Sequence, residues 1–215
     1  QDVNTQKVRF RILNGANASN YTLSLSNKDA FFQIASDGGL LESPVKRDSI
    51  FISPGERVEV IVDFSKSKVG TKIELNNTDK NKDTKSIITF NVKNKVDDKT
   101  EIPDKLVTID PLPKDKVSKK RNIELQGMGE MVNINGEKFD INKINFFGKQ
   151  DEIEMWTITN PSSKSNMNMD DNKDMNMNDS KDMNMNDSKD MNMNDMDTVM
   201  GHPFHIHGTQ FQIVS

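Results

Sequence analysis

From Lys7 to about Val92 the apolar residues recur at every second position in short runs, and turn-forming residues separate the runs. A strand sends successive side chains to opposite faces, so this period fits half-buried strands and argues against amphipathic helices. Val8-Arg-Phe-Arg-Ile-Leu13 alternates and stops at Asn14-Gly15, and Tyr21-Thr-Leu-Ser-Leu25 alternates next. Phe31-Phe-Gln-Ile-Ala35 runs into Asp37-Gly38-Gly39, a strong turn. Ser53-Pro54-Gly55-Glu56 separates Ile50-Phe-Ile52 from Val58-Glu-Val-Ile-Val-Asp-Phe64, and Ser86-Ile-Ile-Thr-Phe-Asn-Val92 closes the region. Short strands divided by Gly and Pro turns, with no convincing helix, predict an all-β sandwich.

Beyond Asn94 the chain becomes charged and carries Pro103, Pro111 and Pro113, the composition of a linker. The expected division is a first domain over residues 1–95, a linker over 96–120 and a second unit over 121–215. In that unit strands are expected at Asn122-Ile-Glu-Leu125, at Val132-Asn-Ile-Asn135 before the turn at Gly136, and at Glu152-Ile-Glu-Met-Trp-Thr-Ile-Thr159. A last strand pair is expected over residues 202–215, with Phe211 and Ile213 on one face. These elements are too few to close a second sandwich. The chain opens at Gln1 without Met and closes within an apolar alternation, so both ends read as cut.

Between the strands of the second unit lies a repeat. Asp174-Met-Asn-Met-Asn-Asp-Ser-Lys181 recurs as 182–189 and again, in part, from Asp190. Ten of the 13 methionines fall between Met167 and Met200, so core packing does not account for them. Polar low-complexity sequence cannot offset its ordering entropy by burial, and the insert over 166–197 is expected to be a disordered Met-rich loop. It also explains why only 33% of the chain is hydrophobic.

The net charge of −4 is small and the charges are interspersed, with no basic stripe interleaved with aromatics, so a nucleic-acid partner is not expected. No apolar run approaches the roughly 18 residues of a membrane span. There is no cysteine, hence no disulfide framework and no thiolate nucleophile or ligand. Composition leaves the oligomeric state and the compartment open.

All three histidines, His202, His205 and His207, sit within six residues of one another. On a strand His205 and His207, two apart, can aim their imidazoles into one site, while His202, three before His205, tends to the opposite face. The spacing supplies two ligands to one centre and one to a second centre nearby. Imidazole serves copper, zinc, iron and nickel, so residue type alone does not choose the metal. Three solvated or hydrogen-bonded histidines with no ligand role are the plain alternative. A cupin-like barrel holding iron or manganese is another, and it would call for a Glu a few residues after His207, which does not occur before Ser215.

The string His202-Pro-Phe-His-Ile-His-Gly-Thr-Gln-Phe211 resembles the third copper motif of multicopper oxidases. Arg9-Phe-Arg-Ile-Leu-Asn-Gly-Ala-Asn-Ala18, Asp37-Gly-Gly-Leu-Leu41 with Pro44-Val45, and Ser53-Pro-Gly-Glu-Arg-Val-Glu-Val-Ile-Val-Asp-Phe64 resemble the second cupredoxin domain of bacterial members. Ile134-Asn-Gly-Glu-Lys-Phe139 and Glu154-Met-Trp-Thr-Ile158 look like the start of the third. The resemblance implies cupredoxin-like Greek-key β-sandwich domains, one nearly complete and one truncated. It implies copper as cofactor, with His202 a type 1 ligand, His205 the type 2 ligand and His207 a type 3 ligand. The implied activity is one-electron oxidation of Cu(I) or a small phenolic substrate, coupled to reduction of dioxygen to water.

A type 1 site also takes a Cys thiolate, so the chain alone is expected to be inactive and its parent to be the oxidase. Thioether sulfur favours Cu(I), and the insert stops just before His202. This resembles the cuprous-oxidase branch and makes Met200, Asp197, Met128 and Met131 candidates for binding substrate Cu(I). The branch usually carries its Met-rich stretch earlier in the third domain, which is where Met128 and Met131 lie. A copper-buffering protein without catalysis is the alternative, as is an insert that has simply expanded as a tolerated loop. Family habit points to an extracytoplasmic or cell-surface location.

Overall fold

The computed structural model describes residues 1–78, 83–127, 132–160 and 202–214. The Met-rich stretch 166–197, and with it the expectation of disorder, lies outside the described residues, as do Met128, Met131, Asp197 and Met200. Among the described residues every regular element is a strand apart from one 3-10 turn at Lys114–Lys116. No helix among them is long and apolar enough to cross a membrane. The chain divides into two compact units, Gln1–Pro111 with His205–Ser215, and Leu112–Phe204.

The first unit holds nine strands: β1 (Asp2–Val3), β2 (Lys7–Leu13), β3 (Tyr21–Leu25), β4 (Phe31–Ser36), β5 (Gly39–Arg47), β6 (Ser49–Ile52), β7 (Arg57–Asp63), β8 (Lys72–Thr78) and β9 (Thr84–Val92). They form a five-stranded sheet in the order β1-β9-β8-β3-β6 and a four-stranded sheet in the order β2-β7-β4-β5. Consecutive strands repeatedly change sheet, as Greek-key connectivity requires. All pairs are antiparallel except β1 with β9.

Strand register explains the alternation read in the sequence. Val8, Phe10 and Ile12 on β2 stand opposite Val62, Val60 and Val58 on β7. All six face the core, where the three valines of β7 are buried. The intervening Arg9 and Arg11 both pair with Glu59, Arg11 at 3.1 Å, on the other side of the same ladder. The five-stranded sheet contributes Leu23, Leu25, Ile50, Ile52, Ile73 and Phe90 to the same core. There Phe90 packs its ring 5.0 Å from Phe10 and 5.4 Å from Phe64, which is fully buried.

Two turns show how local chemistry sets the connections. At Ser53-Pro54-Gly55-Glu56 the proline fixes one turn residue and Gly55 takes φ 79°, the left-handed value that a type II turn requires. The Glu56 carboxylate accepts the Ser53 amide at 2.8 Å. At Asn14 the side chain is buried, 1% exposed, and stabilises the connection after β2. Its Nδ2 donates to the carbonyls of Ser19 and Ile52, and its Oδ1 accepts the Ala16 amide.

Three strands carry no clear sequence signal. β1 is only two residues long. β5 lacks a buried alternation and contains Pro44, which is tolerated because β5 is the edge of its sheet. β8 has one fully buried core residue, Ile73, and a partly buried Leu75 among otherwise polar positions.

The second unit carries a three-stranded sheet, β11-β10-β12, from β10 (Val117–Gln126), β11 (Asn133–Ile134) and β12 (Ile153–Thr159). β10 begins at Val117, ahead of the Asn122 expected from alternation, because parallel pairing with β12 starts at Val117↔Ile153. Asn135 and Gly136 both have positive φ, 54° and 79°, as in the Asn-Gly type I′ turn of a tight hairpin. Ile123 is the most deeply buried residue of this sheet. Phe139, Ile141, Ile144 and Phe147 stay exposed, so three strands do not cover the apolar residues of this unit.

Arg121 on β10 is bonded to Glu154 on β12 through two parallel hydrogen bonds, 2.6 Å from Nε and 2.8 Å from the guanidinium terminus. Both side chains are largely shielded from solvent. The Arg121 guanidinium, and after it the indole N–H of Trp156, hold the Glu154 carboxyl down from its ordinary 4.5 to about 2.

Phe90→Ala is expected to lower the unfolding free energy by about 3–5 kcal/mol, measured by chemical denaturation. A change within the roughly 0.5 kcal/mol typical of surface substitutions would contradict the core assignment. Because the folded-state value of Glu154 is depressed, its contribution is complete above the ordinary carboxylate range and is lost as pH falls from 4.5 toward about 2. Glu154→Gln should therefore flatten the thermal midpoint's dependence on pH in that window. An identical acid dependence in the variant would remove Glu154 from the account.

Candidate metal centre

The candidate ligands lie just beyond the insert, on residues 202–207. The expected strand pair over 202–215 is not formed: no β-ladder is present over the described residues 202–214. Pro203 has no N–H to give to a ladder, and Phe211 and Ile213, expected to share a packed face, are both exposed at 62% and 84%. The two-residue side-chain period survives without the ladder. His202, Phe204 and Ile206 are half-buried, whereas Pro203, His205 and His207 are exposed.

His205 and His207 are brought together. Their ring centroids are 4.6 Å apart with the planes at 69°, so two imidazoles stand side by side and accessible. His202 lies in the opposite burial phase. Among the described residues no three His, Asp or Glu side chains form a group that could hold a metal ion. The donor set is two neighbouring imidazole nitrogens plus a third on the other phase. Imidazole suits copper, and such a set fits copper ions held in more than one place.

Within the first unit, two contacts hold the segment after His207. The Gln212 amide donates to the Asp110 carbonyl at 2.7 Å. Gly38, in the turn between β4 and β5, comes so near Gln210 that a Cβ there would meet Oε1 at 3.1 Å. The Asp37-Gly38-Gly39 turn thus leaves room for the tail that follows the histidines. Within the second unit, Phe204 meets Trp156 of β12 edge-on, with centroids 6.3 Å apart.

The sequence singles out the three histidines and does not single out the side chains that hold Phe204. Glu154 and Trp156 lie two apart on a strand and so share a face, which was a readable signal. Arg121 belongs to a different strand, and only the parallel register Arg121↔Trp156 shows that it belongs with them.

Known proteins resemble the chain along almost its whole length. Two family models, both described as multicopper oxidase, match residues 3–97 and 110–215. The chain is 37% identical over 210 residues to the multicopper oxidase mco of Staphylococcus haemolyticus, covering 98% of this chain and 36% of that protein. It is 32% identical over 173 residues to the laccase of Bacillus subtilis, covering 75% and 34% of the two chains. A solved multi-copper oxidase from Pediococcus acidilactici superposes with TM-score 0.67 at 30% identity, covering 73% of this chain and 32% of that one. The chain therefore spans about a third of the length of these relatives. With a cupredoxin-like all-β fold and two family models that together match nearly all of its residues, the chain belongs to the multicopper oxidase family, whose cofactor is copper.

Proposed function

We propose that the protein carrying this chain oxidises Cu(I) one electron at a time and passes the electrons to dioxygen, giving water, as a copper-detoxifying oxidase. The observation that carries the reading is the histidine segment, with His205 and His207 side by side and His202 in the opposite phase. Residues 1–95 are taken as most of the second cupredoxin-like domain, 96–120 as a linker and 121–215 as the opening of the third. His202 is assigned as a type 1 ligand, His205 as the type 2 ligand and His207 as a type 3 ligand. Copper, when bound, supplies one-electron redox chemistry and the capacity to reduce dioxygen. The three histidines offer imidazole nitrogens as donors.

The substrate assignment rests on the methionines. Repeated thioethers among acidic and amide side chains hold Cu(I) weakly and reversibly, and Met200 is two residues before His202. Met200 and Asp197 are taken as the near substrate contacts, with Met128 and Met131 as secondary ones. A laccase among the relatives favours a second reading, oxidation of small phenols. A Met-rich cover beside the type 1 ligand would hinder a bulky phenol, which is why Cu(I) is preferred.

His205→Ala in the full-length protein is expected to abolish dioxygen uptake, measured with an oxygen electrode, while the fold is retained. A fully active variant would overturn the ligand assignment. Deleting residues 166–197 is expected to lower kcat/KM for Cu(I) several-fold and to leave phenol oxidation unchanged or faster. Unchanged Cu(I) kinetics would move the reading to a phenol oxidase. Tight copper binding with no dioxygen uptake by the wild-type protein would leave only a buffering role.

A further inference from the structure

Phe204 stands between His202 and His205 in the sequence, and its ring meets the indole of Trp156 at 70° and 6.3 Å. Trp156 is the sole tryptophan of the chain and has little freedom. Its Nε1–H donates to Glu154 Oε2 at 2.7 Å, and Phe146 packs against it at 6.1 Å. Glu154 is fixed in turn by the two bonds from Arg121. The Arg121 guanidinium also donates to the Phe147 carbonyl at 2.7 Å and lies 5.1 Å over the Phe146 ring. Each group is located by the next, from β10 through β12 to the histidine segment.

Ligand strands in a sandwich are ordinarily placed by backbone ladders, whereas residues 202–214 form none among the described residues. Side-chain seating at Phe204 therefore bears more of the segment's placement. A displaced Phe204 carries His202 with it, two residues along a chain whose successive Cα atoms are only about 3.8 Å apart.

We infer that Trp156 is a positioning residue for the start of the histidine segment: it seats Phe204 and so fixes where His202 presents its imidazole, with Glu154 and Arg121 holding the indole. The geometry stands by itself; its consequence for copper rests on the ligand assignment proposed above.

The test uses the full-length protein with Trp156→Ala, Phe204→Ala and the milder Trp156→Phe. Ile123→Val, a conservative change at a buried position of the same sheet, is the control. Two quantities are read. The first is Cu(II) affinity by chelator competition. The second is the rate at which diethyl pyrocarbonate labels His202 relative to His207 in copper-free protein, followed by mass spectrometry.

Trp156→Ala and Phe204→Ala are expected to weaken Cu(II) binding about 10- to 100-fold, the usual effect of losing a group that orients a ligand. Both should also raise the His202 labelling ratio several-fold. Trp156→Phe, which keeps an aromatic edge against Phe204, should recover much of the loss, and Ile123→Val should move neither readout. Wild-type affinity and labelling in Trp156→Ala, or equal changes in Ile123→Val, would overturn the inference. Where Trp156→Ala fails to fold, Phe204→Ala decides, and wild-type affinity and labelling in that variant overturn the inference. Wild-type protein that takes up no copper while the labelling ratio still responds would sink the copper reading and leave the positioning role standing.

Discussion

A strand places alternate side chains on opposite faces, and the rest of this structure depends on that constraint. On β2 it puts Val8, Phe10 and Ile12 into the core and leaves Arg9 and Arg11 to Glu59 on the other side. On β12 it puts Glu154 and Trp156 on one face, where the carboxylate can accept the indole N–H. In residues 202–207 it sets His205 and His207 beside each other and His202 in the opposite phase. One geometric rule thus builds the core, shields an ion pair and sorts the candidate ligands.

Much of this was legible because the rule is local. Alternation disclosed β2, β3, β7 and β9, and turn chemistry disclosed the bends at Gly55 and Gly136. What stayed hidden depends on partners distant in sequence. β5 is stabilised as an edge strand by β4, and its own residues, Pro44 included, do not alternate. β10 extends back to Val117 because β12 is there to pair with it. Arg121 is an unremarkable basic residue until register sets it opposite Trp156. The strand pair expected over 202–215 failed for the converse reason: alternation describes side chains, but a strand exists only where a neighbour accepts its backbone hydrogen bonds, and Pro203 cannot donate one.

The histidines and the methionines answer different parts of the functional question. Imidazoles in two phases suit a family that holds copper at several places. The soft thioether repeat next to them bears on which substrate that chemistry meets, and its weight comes from composition and from its position beside His202. Between the two lies a plain structural dependence. The histidine segment meets at Phe204 an indole that the Arg121–Glu154 pair holds, so the stability of a small mixed sheet and the placement of His202 are linked.

The central claim is that one short segment serves two separate copper environments. Anomalous diffraction at the copper edge, from crystals of the copper-loaded full-length protein, tests it most directly. Copper peaks are expected beside His205 and His207, with a separate peak beside His202. A single peak touching all three imidazoles, or none near any of them, would contradict it.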